Sequence, residues 1–327
     1  MTVKYDTENS KLAIICTQLA YEQYDKGLAD PDYDGSIITL PSYNKLPKAY
    51  TQVLTLKDKE IDPVCLPSVH KALRILLDEK LEKTSVLIKD IIEHLCFIGE
   101  HALTNKLEQA TSFKKDLVYF GFIIQSEDKN FLAFRGMKTP QEWVSDLLCL
   151  QTEINDHIKG SDDYKGISVH LGIMLQYSAF MNLINQTLEK LGGKAPLYVT
   201  GHSLGGALSV LSSFIIAAYN KEKTLATEVL NYSFAAPRVG NKAFATKLVD
   251  LVPNCYRIAN CADCIPLLPP TDLGDLEFEH GGMLYDYLFY KEDTAENHRF
   301  VSNYTLAVNS EVPVNKPALP DYPISCR

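Results

Sequence analysis

Short apolar runs alternate with longer amphipathic stretches between residues 116 and 307. The β-like runs lie at 117–124, 130–134, 197–200, 230–235 and 255–259. Between them, the stretch 166–190 places apolar side chains near the helical period, and Gly192-Gly193 marks its end. Strands that alternate with helices in this way predict an α/β fold, with a mostly parallel central sheet and helices on both faces.

The first third of the chain has a different pattern, in which leucine and isoleucine recur with a helical period. Between residues 66 and 107 this pattern predicts helices, which we interpret as a layer packed on the sheet in preference to a cap that opens onto lipid. Residues 310–327 carry four prolines and no periodicity, as expected of an extended tail. We therefore expect a single domain with a helical N-terminal region (1–115), a core (116–307) and a tail (308–327).

Composition and charge restrict the class of protein and its partners. Hydrophobic residues make up 46% of the 327 residues and charged residues 22%, which is typical of a soluble globular protein. No apolar stretch is long enough to cross a bilayer, and the polar N-terminus lacks a secretory signal, so we expect a cytoplasmic protein that binds membranes at most peripherally. A net charge of −9 disfavours nucleic acid, and it leaves hydrophobic contact as the means of transient binding to a membrane or micelle. The sequence does not fix an oligomeric state.

The hexapeptide Gly201-His202-Ser203-Leu204-Gly205-Gly206 lies between an apolar run and a helical stretch. A serine on such a strand-to-helix turn presents its hydroxyl, and the flanking glycines leave room for the neighbouring strand and helix. Ser203 is therefore a candidate catalytic nucleophile. The Leu204 N–H, at the start of the helix, is placed to stabilise an oxyanion. His202 is interpreted as a packing or rim residue.

A serine hydroxyl becomes a strong nucleophile when a histidine takes its proton and a carboxylate orients that histidine. Both partners are expected after the serine in the chain. Asp263 is the best carboxylate candidate because it follows a β-like run and precedes a loop, where doubly wound sheets carry their sites. The other carboxylate candidates are Asp250, Asp272, Asp275 and Asp286. His280 and His298 are the two downstream histidines, and the chemistry of the residues does not decide between them.

An acidic turn near the N-terminus is similar to the opening of a calcium loop. Asp30, Asp32 and Asp34 alternate ahead of Gly35 as the first ligands of an EF-hand do, but Pro41 stands where the bidentate glutamate belongs. We keep calcium as a candidate ligand of these aspartates and favour a solvated acidic turn. The serine chemistry itself requires no metal or cofactor.

Five separated segments carry a family resemblance. They are Phe134-Arg135-Gly136 with Trp143 and Asp146, then Val169-His170-Leu171-Gly172, 201–206, 234–241, and 256–260 leading to Asp263. The Pro237-Arg238-x-Gly240-Asn241 pattern is the most specific of them. Together, over roughly residues 116–304, they resemble the class 3 lipases, the α/β-hydrolases typified by triacylglycerol lipases of filamentous fungi.

The resemblance implies an α/β-hydrolase fold with Ser203 as nucleophile, Asp263 as orienting acid and His298 as base. It also implies an oxyanion hole formed by the N–H groups of Leu204 and Met137. The family usually has threonine or serine in place of Met137, so this chain keeps the backbone donor and lacks the hydroxyl.

The segment after Met137 corresponds to the lid of the resembled family. Its apolar residues Trp143, Val144 and Leu147 are candidates for acyl contact or for meeting a lipid interface, and an ordinary buried helix is an equally good interpretation. The resemblance implies a carboxylic-ester hydrolase, a lipase or phospholipase of the A1 type, that cleaves acyl esters of glycerolipids. The alternative is a non-catalytic lipase-like module for lipid binding or signalling, which Met137 alone favours.

Overall fold

The computed structural model describes residues 5–58, 117–137, 151–156, 158, 162–273, 276–291 and 294–309. The strands are β1 (Thr51–Asp58), β2 (Val118–Gln125), β3 (Asn130–Phe134), β4 (Gln151–Glu153), β5 (Ser168–His170), β6 (Leu197–His202), β7 (Val229–Phe234), β8 (Cys255–Asn260), β9 (Asp272–Leu273), β10 (Leu276–Glu277) and β11 (Met283–Tyr287). The helices are α1 (Thr7–Ala29), α2 (Leu171–Leu191), α3 (Leu204–Lys223), α4 (Lys242–Leu251), α5 (Thr294–His298) and α6 (Thr305–Asn309). A π-helical turn, Phe300–Tyr304, lies between the last two helices.

Seven of the described strands form one sheet in the order β1-β2-β3-β6-β7-β8-β11. The pairs β1 with β2 and β2 with β3 are antiparallel, and the other four pairs are parallel. Every residue of β6 and β7 is buried, as expected of strands that are covered on both faces. The predicted α/β-hydrolase fold with a mostly parallel central sheet is confirmed.

Helices cover both faces of this sheet. On one face α2, α3 and α4 contribute Phe180, Leu208 and Phe244 to a buried cluster. On the other face α1 contributes Leu19 and the C-terminal π-helical turn contributes Tyr304. Each such side chain stabilises the fold by about 1.5–3 kcal/mol when it is fully removed from water. Within the described ranges, none of the helices is both long enough and apolar enough to span a bilayer.

The helix expected over 166–190 begins later than predicted. Ser168–His170 forms β5 and pairs antiparallel with β4, so that α2 starts at Leu171. His170 caps this helix, because its Nδ1 accepts the N–H groups of Gly172 and Ile173. Ile167 and His170 happen to fit the helical period of the segment that follows, which explains the shifted boundary.

The N-terminal region, predicted as helical over 1–115, contains a strand. β1 lies at the edge of the sheet antiparallel to β2, so the helical prediction is wrong for residues 51–58. The sequence of β1 includes Thr51, Val53 and Thr55, whose branched side chains favour extended backbone over helix. The helices expected between residues 66 and 107, and the tail expected at the C-terminus beyond residue 309, lie outside the described residues.

Candidate active site

Ser203 occupies the sharp turn between β6 and α3. Its backbone has φ 60° and ψ −125°, a strained conformation for any residue other than glycine. A Cβ atom on Gly201 would come within 2.1 Å of the Gly205 carbonyl oxygen, and one on Gly205 within 2.4 Å of the Arg135 oxygen, so both positions require glycine. The Ser203 N–H donates to the Phe234 carbonyl at 2.9 Å and thereby ties the turn to β7. The surrounding sheet therefore maintains the strain that presents the hydroxyl.

The structure brings Ser203, His298 and Asp263 together. Nε2 of His298 lies 2.8 Å from Oγ of Ser203, and Nδ1 of the same ring lies 2.7 Å from Oδ2 of Asp263. Ser203 follows β6 and Asp263 follows β8, at the carboxyl edge of the parallel strands, and His298 ends α5. Because a carboxylate only accepts hydrogen bonds, Nδ1 carries the proton and Nε2 is left to accept from the serine hydroxyl. The three groups form one chain for proton transfer.

The Asp263 carboxylate is buried and fully hydrogen-bonded. Its Oδ2 also accepts the Tyr304 hydroxyl at 2.7 Å, and its Oδ1 accepts the Ile265 N–H at 2.9 Å. Burial and the adjacent Asp263 raise the pKa of Tyr304 well above its usual value, so this tyrosine remains a donor. Together with His298, three donors compensate the desolvation of one carboxylate.

The other candidate histidine and aspartates have different partners. Nε2 of His280 donates to the carbonyl oxygen of Pro266 at 2.7 Å, and burial together with nearby arginine charges lowers the pKa of His280 well below its usual range. Asp286 accepts from the Cys261 thiol at 3.7 Å. Of the remaining candidates, Asp250 lies in α4, Asp272 lies in β9, and Asp275 is outside the described residues. His298 is thus the downstream histidine that contacts the serine.

His202 is a buried neighbour of these groups and not a rim residue. Its Nδ1 lies 2.9 Å from the Tyr21 hydroxyl, and its Nε2 lies 3.0 Å from the carbonyl oxygen of His298. Since the carbonyl only accepts, Nε2 donates and Nδ1 accepts from the tyrosine. Burial and the neighbouring His298 lower the pKa of His202 well below its usual range, which keeps the ring neutral. His202 therefore anchors the backbone of His298, and Tyr21 fixes the tautomer of His202.

Two backbone amides flank Ser203. The Leu204 N–H is at the first position of α3. On the other side β3 continues into Gly136, where a Cβ atom would come within 2.2 Å of the Tyr21 hydroxyl and 3.1 Å of the Ser203 Cβ. This close approach brings Met137, the next residue, beside the serine turn. Neither amide donates a hydrogen bond to another residue in the part of the chain that the structure describes.

Comparison with known proteins identifies the segment that contains the serine turn. The family model described as Lipase (class 3) matches residues 131–273. We call residues 131–273 the class 3 lipase segment, after the family whose model they match. A lipase of Rhizomucor miehei is 32% identical over 164 residues, which are 49% of this chain and 42% of that protein. Phospholipase A1-Igamma2, chloroplastic, of Arabidopsis thaliana is 26% identical over 203 residues, or 50% of this chain and 37% of that protein.

A solved structure of the native Rhizomucor miehei lipase propeptide complex has a TM-score of 0.43 and 28% identity, over 51% of each chain. The chain spans less than half the length of the two curated relatives named above. The class 3 lipase segment contains Met137, Ser203 and Asp263. Tyr21 and His298 lie outside it, so the described site is completed by residues from both sides of the matched segment.

The acidic turn near the N-terminus has local contacts of its own. Asp30 forms an ion pair with Lys26 at 2.9 Å, and Asp34 accepts the Ser36 N–H at 2.8 Å. No group of three or more His, Cys, Asp or Glu side chains that could hold a metal ion occurs within the described ranges. Calcium binding by Asp30, Asp32 and Asp34 stays a prediction.

Trp143, Val144 and Leu147, the candidate lid residues, lie outside the described residues.

Proposed function

We propose that this protein is a serine carboxylic-ester hydrolase, a lipase or phospholipase of the A1 type, that cleaves acyl esters of glycerolipids. The observation that carries the proposal is the hydrogen-bonded chain from Ser203 through His298 to Asp263, with distances of 2.8 and 2.7 Å. The same constellation performs acyl transfer on several unrelated folds. The class 3 lipase segment, and relatives named lipase and phospholipase A1, support the substrate class.

In the first step Oγ of Ser203 attacks the ester carbonyl carbon while Nε2 of His298 takes the hydroxyl proton. The electron pair of the carbonyl bond moves to its oxygen, which accepts hydrogen bonds from the N–H groups of Leu204 and Met137. Asp263 offsets the positive charge of the imidazolium. When the tetrahedral intermediate collapses, the imidazolium gives its proton to the departing glycerol oxygen, and the acyl group stays on Ser203.

In the second step a water molecule replaces the departed alcohol. Nε2 of His298 takes a proton from the water as its oxygen attacks the acyl carbonyl, and the same two amides stabilise the second oxyanion. Collapse breaks the bond to Oγ, returns the proton to Ser203 and releases the fatty acid. The cycle restores the starting protonation of all three side chains and uses no metal.

Hydrolysis of p-nitrophenyl esters with short, medium and long acyl chains tests this proposal, with Ser203→Ala as the matched control. We expect Ser203-dependent turnover that increases with acyl chain length. Equal rates for both proteins would refute the enzyme proposal. A non-catalytic lipid-binding module would instead bind lipid vesicles without releasing p-nitrophenol or fatty acid.

A panel of triacylglycerols, phospholipids and galactolipids, followed by analysis of the released fatty acids, determines the head group. The proposed peripheral contact with a lipid surface predicts faster turnover on micelles or vesicles than on monomeric ester.

The same assay with a chelator tests whether a metal participates, and we expect no change in rate. A calcium titration followed by thermal unfolding tests the acidic turn, where an unchanged midpoint would end the calcium hypothesis.

A further inference from the structure

The peptide unit between Gly136 and Met137 has contacts on both of its polar groups. Its N–H is the Met137 donor that faces the developing oxyanion in the mechanism above. Its carbonyl oxygen, on Gly136, accepts a hydrogen bond from Nη1 of Arg135 at 3.0 Å. In a planar trans peptide the C=O and N–H bonds point in opposite directions, so a donor that fixes the oxygen also fixes the direction of the N–H.

The Arg135 guanidinium is itself held rigidly. The side chain is 1% exposed, and its Nε donates to the Tyr119 carbonyl at 3.0 Å. The guanidinium carbon lies 4.1 Å from the centre of the Tyr24 ring and 4.5 Å from that of Phe120. A planar guanidinium between aromatic rings has its donors in a fixed fork, unlike the mobile ammonium of lysine. The Arg135 guanidinium therefore has a fixed position, from which its hydrogen bond can hold the orientation of a neighbouring peptide plane.

The surroundings of Gly136 show why such an anchor has an effect. The Arg135 N–H donates to the Phe120 carbonyl at 2.9 Å, which is a contact of β2 with the chain just beyond β3. Beyond that hydrogen bond the backbone is not part of the sheet, and a glycine there is free to rotate its following peptide plane. The bond from Arg135 to the Gly136 oxygen removes that rotation.

We propose that Arg135 is a positioning residue of the oxyanion hole, which rests on the hydrolase function proposed above. Its guanidinium holds the Gly136–Met137 peptide plane so that the Met137 N–H is directed at the substrate oxyanion. A charged donor on the carbonyl oxygen also polarises the peptide and makes its N–H a stronger donor. Because the Met137 side chain has no hydroxyl, the backbone N–H is the only hydrogen-bond donor that this residue offers.

The proposal predicts a loss in the transition state and not in substrate binding. Arg135→Met fills the space between the rings and removes the donor to Gly136. We expect its kcat to fall by about 10–100-fold, which does not exceed the fall in kcat caused by removing a whole oxyanion donor. KM for a p-nitrophenyl ester is expected to stay within about twofold, as for an interaction made only in the transition state. Arg135→Lys, which keeps the charge without the fork, is expected to be intermediate.

An alkylboronic acid such as butylboronic acid gives a readout that a purely structural role would not change. It forms a tetrahedral adduct on Ser203 with an oxygen in the oxyanion hole. Its inhibition constant should rise in Arg135→Met by the same factor as kcat falls. Wild-type kcat in Arg135→Met, or a reduced kcat with unchanged boronate affinity, would overturn the proposal. Wild-type protein that hydrolyses no better than Ser203→Ala would instead refute the hydrolase function itself.

If Arg135→Met does not fold, selective ¹⁵N labelling of methionine still tests the proposal through the Arg135→Lys variant. The chain has five methionines, so few amide signals appear in the spectrum. In the wild type, boronate binding should move one methionine amide proton downfield as it hydrogen-bonds the adduct. In Arg135→Lys that shift should shrink. An equal shift in the two proteins, or no downfield shift in the wild type, would contradict the role of Arg135.

Discussion

Tyr304 and His298 donate to the same oxygen atom, Oδ2 of Asp263, each at 2.7 Å. The Tyr304 hydroxyl in turn accepts the Asn260 N–H at 3.1 Å, while its proton is donated to the carboxylate. Tyr304 thus links the strand end at Asn260, the carboxylate and the C-terminal π-helical turn. The orientation of the acid depends on a residue that does not touch the serine.

The substitution Tyr304→Phe removes one of three donors from a buried carboxylate. We expect the free energy of unfolding to fall by about 1.5–3 kcal/mol, the range for hydrogen bonds to charged groups. Activity should fall only several-fold, because His298 still holds Asp263. Urea denaturation and steady-state kinetics measure the two effects. Unchanged stability would show that the Tyr304 hydroxyl is not needed to compensate the desolvation of the Asp263 carboxylate.

The substitution Tyr21→Phe removes the donor to Nδ1 of His202 and leaves a buried acceptor unsatisfied. We expect a lower kcat with little change in KM, because His202 then loses the tautomer that anchors His298. Tyr43→Phe is a matched control, since the Tyr43 hydroxyl donates to the Tyr50 carbonyl at 2.9 Å and belongs to the N-terminal segment. Equal kcat values for the two variants would argue against a role of Tyr21 in positioning.

The variants His298→Ala and His280→Ala test which histidine is the base. Loss of the base of a Ser–His–Asp chain reduces kcat by at least about 10⁴-fold, and we expect this for His298→Ala. His280→Ala removes the donor to Pro266 and should mainly lower the melting temperature. The reverse pattern of activities would overturn the assignment of the base.

The stability of the protein should decrease as the pH falls below about 6.5, the pKa of histidine in an unfolded chain. Native His202 stays neutral there, because burial and His298 lower its pKa, whereas the unfolded chain binds the proton. The unfolded state then carries more protons, and each such group lowers the free energy of unfolding by up to about 1.4 kcal/mol per pH unit.

The variant His202→Gln isolates this contribution, since glutamine does not titrate. Urea denaturation at several pH values should give a flatter dependence for the variant than for the wild type. Parallel curves would mean that His202 binds its proton in the native state. Tyr21 and His298, the two residues that hydrogen-bond His202, are unchanged in this comparison.

Local sequence patterns were sufficient for five of the seven strands of the central sheet and for two members of the site. The apolar runs match β2, β3, β6, β7 and β8 closely, and the turn at Ser203 and the loop at Asp263 both follow such runs. The choice between His280 and His298 required the family resemblance, because both histidines lie in short segments without a strong periodic pattern.

Tyr21, Tyr304 and Arg135 were not predicted to support the site. Tyr21 and His202 are 181 positions apart, and no pattern in either segment shows that α1 packs over the serine turn. The role of Arg135 depends on the direction of one hydrogen bond, which residue spacing does not encode. His202 adjoins the nucleophile in the sequence. Its partners depend on the packing of α1 and the C-terminal π-helical turn on one face of the sheet, which the sequence pattern does not predict.

His298, whose Nε2 contacts Ser203, ends helix α5, 95 positions after the nucleophile. Because synthesis proceeds from the N-terminus, Ser203 is translated before the histidine that activates it. Until that histidine docks, the hydroxyl is as inert as any other serine. If the proposed function holds, a nascent chain therefore has no hydrolytic activity until the histidine has been translated and has docked.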